Sequence, residues 1–88
     1  MHLTELAEIV EAKIDVKYIH ERRCYHACIR GAEVMSDPPG MLASEFGSGT
    51  TPDTAQRDYA KKIRGKRIAF GGLSGPRREF KIPKSLSF

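Results

Sequence analysis

The apolar residues of this chain recur with two different periods. Over residues 3–14, Leu3, Leu6, Ala7, Val10 and Ile14 return at spacings of three and four, which is one stripe of an α-helix. Glu5, Glu8 and Glu11 fall on another face, and glutamates early in a helix suit the positive end of its dipole. From residue 16 to residue 35 the period drops to two. Val16 and Tyr18 alternate with polar residues, and Tyr25, Ala27 and Ile29 alternate with Cys24, His26, Cys28 and Arg30. This pattern predicts two strands, or one long bent strand, with a bulge or turn at Gly31 before Ala32 and Val34 resume it. Ser36-Asp37-Pro38-Pro39-Gly40 is a turn by composition, Met41 to Phe46 the next strand, and Gly47-Ser48-Gly49 its end.

Thr51-Pro52 opens the best-marked helix, because threonine is a good N-cap and proline a good first helical residue. Ala55, Tyr59 and Ile63 form its buried stripe at i, i+4, i+8, and Gly65 is the expected C-terminal stop. Asp53 is placed to pair with Arg57, and Asp58 with Lys61 or Lys62. Beyond the stop, Arg67–Gly71 and Arg77–Pro83 read as the two strands of a hairpin, with a turn at Leu73-Ser74-Gly75-Pro76. The whole predicts an α+β fold, a small antiparallel sheet packed by two helices, in the order α-β-β-β-α followed by a β-hairpin. Eighty-eight residues make one domain, 1–88. Its expected core includes Leu6, Ile29, Tyr59, Ile63, Phe70 and Phe80.

Charge adds an asymmetry. The formal charge is +4, but residues 1–56 carry five Lys/Arg against nine Asp/Glu, and residues 57–88 carry ten against two. Arg57, Lys61 and Arg64 share one stripe of the second helix, away from Ala55 and Ile63. Lys66 and Arg67 follow, and Arg77 and Arg78 open the last strand, so two basic clusters are expected on one side of the domain. Such a split suggests an anionic partner, nucleic acid among them. The competing reading is a solvated face that offsets the acidic first helix.

The candidate chemistry narrows quickly. Cys24-x-His26-x-Cys28 presents three ligand types on one strand face, but its outer pair is spread too widely for one tetrahedral zinc or for a disulfide. No metal and no cofactor is expected, and both cysteines are expected as free thiols. Gly47-Ser48-Gly49-Thr50-Thr51-Pro52 precedes a helix, where backbone amides can hold phosphate, but the Gly-Lys-Ser/Thr of a nucleotide-binding loop is missing. A strand-to-helix turn is the better account. No histidine sits in a nucleophile–base pattern, and no carboxylate pair stands out, so the expectation is a non-enzyme without a small-molecule substrate. The first residues lack the basic and apolar regions of a secretory signal, and no run reaches the roughly 20 apolar residues of a membrane helix. The corresponding expectation is a soluble, cytoplasmic protein.

The stretch Gly47-x-Gly49-x-Thr51-Pro52-x-x-Ala55-x-x-x-Tyr59-Ala60-x-x-Ile63-x-Gly65-Lys66-Arg67, followed by a strand and Arg77-Arg78-Glu79-Phe80, resembles small proteins of temperate phages and prophages, a group with no assigned activity. The resemblance covers about half the chain. It implies an accessory factor that binds and modulates a host protein; the alternative is a nucleic-acid-binding module that uses the basic C-terminal third. The order of residues 3–64 also resembles the double-stranded RNA-binding domain, whose third strand leads through a Gly-x-Gly turn into the second helix. That family grips phosphates with lysines at the start of the second helix. Here Thr50, Thr51, Pro52 and Asp53 stand there, so the resemblance extends to layout and not to the binding mode.

Overall fold

The computed structural model describes residues 1–36, 41–71 and 76–88, and the turns expected at 36–40 and 73–76 fall largely outside them. Helix α1 spans Leu3–Ile9, with the His2 amide donating to the Glu5 carboxylate at 3.1 Å. It buries Leu3, Leu6, Ala7 and Val10, as the stripe predicted. It stops earlier than the pattern suggested. Glu11 takes a left-handed conformation (φ 56°), and the Ala12 amide reaches back to the Ala7 carbonyl. That turn releases Ile14, which continues the apolar spacing but begins a strand.

Strand β1 (Ile14–Ile19) and strand β2 (Cys24–Ile29) form an antiparallel hairpin. One 3-10 turn over His20–Arg22 and a left-handed Arg23 (φ 52°) join them. After Gly31 (φ 81°) the chain leaves this sheet, and short strands β3 (Glu33–Met35) and β4 (Leu42–Ser44) pair with each other. Strand β5 (Gly47–Gly49) then returns to pair with β2. Helix α2 (Pro52–Ile63) leads into β6 (Arg67–Phe70) and β7 (Arg78–Lys81), the predicted hairpin. The fold is α+β, but it has two antiparallel sheets, β1-β2-β5 and β4-β3-β6-β7, in place of the one expected. Five strands, not three, separate the helices. The switch comes at Gly31, where the pattern places a bulge or turn: its positive φ takes the chain out of the first sheet and into the second. Gly47-Ser48-Gly49, expected to end a strand, is itself one.

Both helices and both sheets contribute to one core. Leu3, Leu6, Val10, Ile29, Tyr59, Ile63, Ile68, Ile82 and Leu86 are all buried in it. Four of the six expected core residues, Leu6, Ile29, Tyr59 and Ile63, are buried. Phe70 and Phe80 are only half-buried, meeting edge to face at 5.9 Å. They pack against the core from the outer end of the β6–β7 ribbon, and among the described residues β7 is an edge strand of its sheet. Near the C-terminus, buried Leu86 is followed by Ser87, whose carbonyl accepts from the Leu3 amide at 2.8 Å and whose amide donates to the Met1 carbonyl at 2.9 Å. Among the described residues no helix is long and apolar enough to cross a membrane.

Candidate functional site

The two ends of α2 hold the two features that the sequence singled out. At the N-terminal end, Thr51 caps the helix: its hydroxyl accepts from the Thr54 amide at 3.1 Å, and the Thr54 hydroxyl accepts from the Thr51 amide at 3.0 Å. The Gly-x-Gly preceding it lies flat against the helix. A β-carbon on Gly47 would stand 2.2 Å from the Ala55 carbonyl oxygen, and one on Gly49 would stand 2.5 Å from the Ala55 nitrogen. Backbone meets backbone there, which only glycine permits. Between them the Ser48 amide, on the free edge of β5, donates to the Asp58 carboxylate at 2.8 Å. Lys62 sits 3.1 Å from that carboxylate and 3.1 Å from the Phe46 carbonyl it donates to. The Ser48 amide, with Lys62 beside it, holds the Asp58 carboxyl below its usual range. This turn fastens a strand to a helix, with the Ser48, Thr51 and Thr54 amides engaged by neighbouring side chains, which fits a strand-to-helix turn better than a phosphate loop.

The other end of α2 is where the cations gather. Gly65 adopts φ 74°, as a helix stop requires, and its amide donates to the Ile82 carbonyl at 3.0 Å. The Lys81 ammonium donates to the Gly65 carbonyl at 2.8 Å, and a β-carbon added at Gly65 would stand 3.3 Å from the Lys84 Cγ. Arg67 pairs with Lys81 across the ribbon, with Met35 on its other side. Arg64, Lys66, Arg67, Lys81 and Lys84 thus surround one residue, and Arg57 and Lys61 extend the same surface back along the helix. All seven are exposed. Positive charge at this end also suits the helix dipole. Of the expected site residues, the structure therefore unites Arg57, Lys61, Arg64, Lys66 and Arg67, and it adds Lys81 and Lys84. Strand alternation on β7 sends Lys81 outward, but only the ribbon register places it beside Arg67.

Arg77 and Arg78 go elsewhere. Arg78 is opposite Phe70, at the far end of the ribbon from Arg67. Its guanidinium donates to the Val10 carbonyl at the end of α1, and it lies 5.5 Å and 5.3 Å from the Phe70 and Phe80 ring centres. Arg77 pairs with Glu79 at 3.3 Å. The expected Asp53–Arg57 pair is not among the described ion pairs; Arg57 instead lies over the Phe88 ring at 5.9 Å.

A groove of about 570 Å³ opens beside the basic end of α2. Lys66, Arg67 and Lys81 line its β6–β7 side, and Met35, Ala43 and Ser44 of the β3–β4 hairpin, with Glu45, line the side toward β4; by register Met35, Ser44, Arg67 and Lys81 share one face of the sheet. A smaller hollow of about 480 Å³ lies on the face of β1-β2-β5 that carries Lys17 and His26. There His26 stacks on Phe46 at 4.2 Å, and its Nε2 is buried without a partner among the described residues. Cys24 and Cys28 flank His26 at alternate positions of β2, and burial pushes the Cys28 thiol pKa up. Among the described residues no three His, Cys, Asp or Glu side chains are grouped to hold a metal. The chain matches no protein-family model, no curated protein and no solved structure.

Proposed function

We propose that this chain is a non-catalytic binding module whose basic end of α2 docks on nucleic acid, acting in the cytoplasm as a phage or prophage accessory protein. The observation that carries the reading is the convergence of Arg64, Lys66, Arg67, Lys81 and Lys84 around Gly65. These cations come from the α2–β6 turn, from β6, from β7 and from the segment that follows it, and none of them is in a described ion pair with a carboxylate. A face meant only for solubility gains nothing from drawing like charges together, since they repel. A polyanion whose phosphates release counterions on contact gains from it. The test is a gel shift with duplex DNA, duplex RNA and single strands at about 150 mM salt, a physiological ionic strength. Binding should weaken steeply with added salt, and Lys61→Glu with Arg64→Glu should remove it while the circular dichroism spectrum is retained. No shift with any of these nucleic acids would overturn the proposal.

A second reading, docking to a host protein, draws on the tip of the β1–β2 hairpin. Tyr18 is 43% exposed and meets His20 and Tyr25 edge to face at 4.9 and 5.1 Å. Exposed aromatics of this kind are common anchors in protein interfaces. Capture of one host protein that survives nuclease treatment and is lost with Tyr18→Ala would favour it.

A further inference from the structure

The groove beside the basic end of α2 has two sides of unlike chemistry, and that difference limits what can occupy it. One side is cationic, with Lys66, Arg67 and Lys81; the side toward β4 is neutral or apolar, with Met35 and Ser44, and it ends in the Glu45 carboxylate. One Glu45 oxygen accepts from the Phe46 amide at 3.1 Å, which leaves the second free to accept from a ligand. A bare polyanion, such as an acidic peptide, would meet that carboxylate unfavourably. A nucleotide would not. Its phosphate faces the cations, its base lies against Met35 and Ser44, and an exocyclic amino group donates to Glu45, as carboxylates accept from cytosine N4 in base recognition. The volume, about 570 Å³, is within the range of small-ligand clefts. Paired bases are stacked inside a duplex and cannot reach into such a groove; an unpaired base can be splayed out into it.

We infer that this groove takes one unpaired nucleotide, with an amino-bearing base preferred, so that the module prefers single-stranded over duplex nucleic acid. The inference rests on the nucleic-acid reading above and names the strand state and the base that the same surface selects. The groove sets the preference, and the open cations on α2 supply the affinity that every strand shares.

Fluorescence anisotropy with an oligocytidine strand, an oligothymidine strand and a blunt duplex of equal length, at one salt concentration, tests it. The cytidine strand should bind at least about tenfold more tightly than the duplex, in line with the gain from one well-placed base contact. Ser44→Trp should fill the groove and remove that advantage while leaving duplex binding unchanged; Ser44 is exposed on an edge strand, on the face of Met35 and Arg67, so the larger side chain has room. Glu45→Gln should level cytidine against thymidine. A readout free of substitutions is the amide NMR shift on adding cytidine 5′-monophosphate, expected to centre on Met35, Ser44, Lys66 and Arg67. Equal affinity for strand and duplex, with Ser44→Trp silent, would overturn the groove inference and leave the basic surface standing. Binding by none of the three probes would overturn both.

Discussion

Helix α2 is bounded by glycines at both ends, and the two ends differ in what surrounds them. At Gly47 and Gly49 the missing side chains let β5 press onto the helix backbone, closer than any β-carbon allows. At Gly65 the glycine supplies a left-handed turn, and among the described residues a β-carbon would meet the flexible Lys84 side chain at 3.3 Å. The first end is closed, with the Ser48, Thr51 and Thr54 amides bonded to side chains of the same turn and helix. The second is open, with exposed cations that are in none of the described ion pairs. The more motif-like of the two, Gly-x-Gly before a helix, is thus a packing device, and the plainer glycine stop marks where exposed cations gather. A glycine pattern reports that backbone must bend or approach; what it approaches is decided by the elements around it.

The same substitution made at both ends should break the comparison if it is wrong. Gly47→Ala should cost more than about 3 kcal/mol, since the obstacle is helix backbone and overpacking of that kind can exceed the usual 1–3 kcal/mol. In a domain this small it could prevent folding, which urea denaturation or expression level would show. A cost equal to that of Gly65→Ala would remove the distinction.

Next in size is the seam behind β5. Burial of the Tyr59 hydroxyl raises its pKa to about 12. The folded state holds the proton more tightly than the unfolded chain, so this stability is complete below about pH 10 and declines as pH rises from there through the folded value. Two units correspond to about 2–3 kcal/mol. Urea midpoints should be flat near neutrality and fall in that alkaline window, and Tyr59→Phe should flatten the fall.

Gly65→Ala should cost about 1–2 kcal/mol, the penalty of a left-handed conformation for a residue with a β-carbon. Asp58→Ala should cost about 1–2 kcal/mol, because the Ser48 amide loses its acceptor. The Asp58 carboxyl is held below its usual pKa, so its contribution is present above about pH 4 and is lost as pH falls through the lower folded value. Acid titration of Asp58→Ala should show a shallower loss of stability than the parent.

The smallest stability effect belongs to the open end. Lys66→Ala should change stability by less than about 0.5 kcal/mol while lowering the salt dependence of nucleic-acid binding by about one unit of slope. A large loss of stability would mean that Lys66 is structural, as Arg78 is.

Much of the local structure is legible in the residues themselves. The stripe of Ala55, Tyr59 and Ile63, the Thr51 cap, the Gly65 stop and the β6–β7 hairpin follow from periodicity and cap chemistry, which act within a few residues. The exposed stripe of Arg57, Lys61 and Arg64 is legible for the same reason. Three matters depended on tertiary structure. The division into two sheets turns on three-residue strands, too short to show a period, and on which partner each finds across the chain. The use of Arg78 depends on Val10, 68 residues away, and on Phe70 and Phe80, whose rings it covers. The makeup of the basic surface depends on the ribbon register that sets Lys81 beside Arg67 and on the turn that lays Lys84 over Gly65. Sequence alone determined where the chain is charged and where it turns, because those are properties of residues and their near neighbours. Which charges remain free for a partner was decided by long-range packing, because a side chain is free only when no distant part of the fold has claimed it.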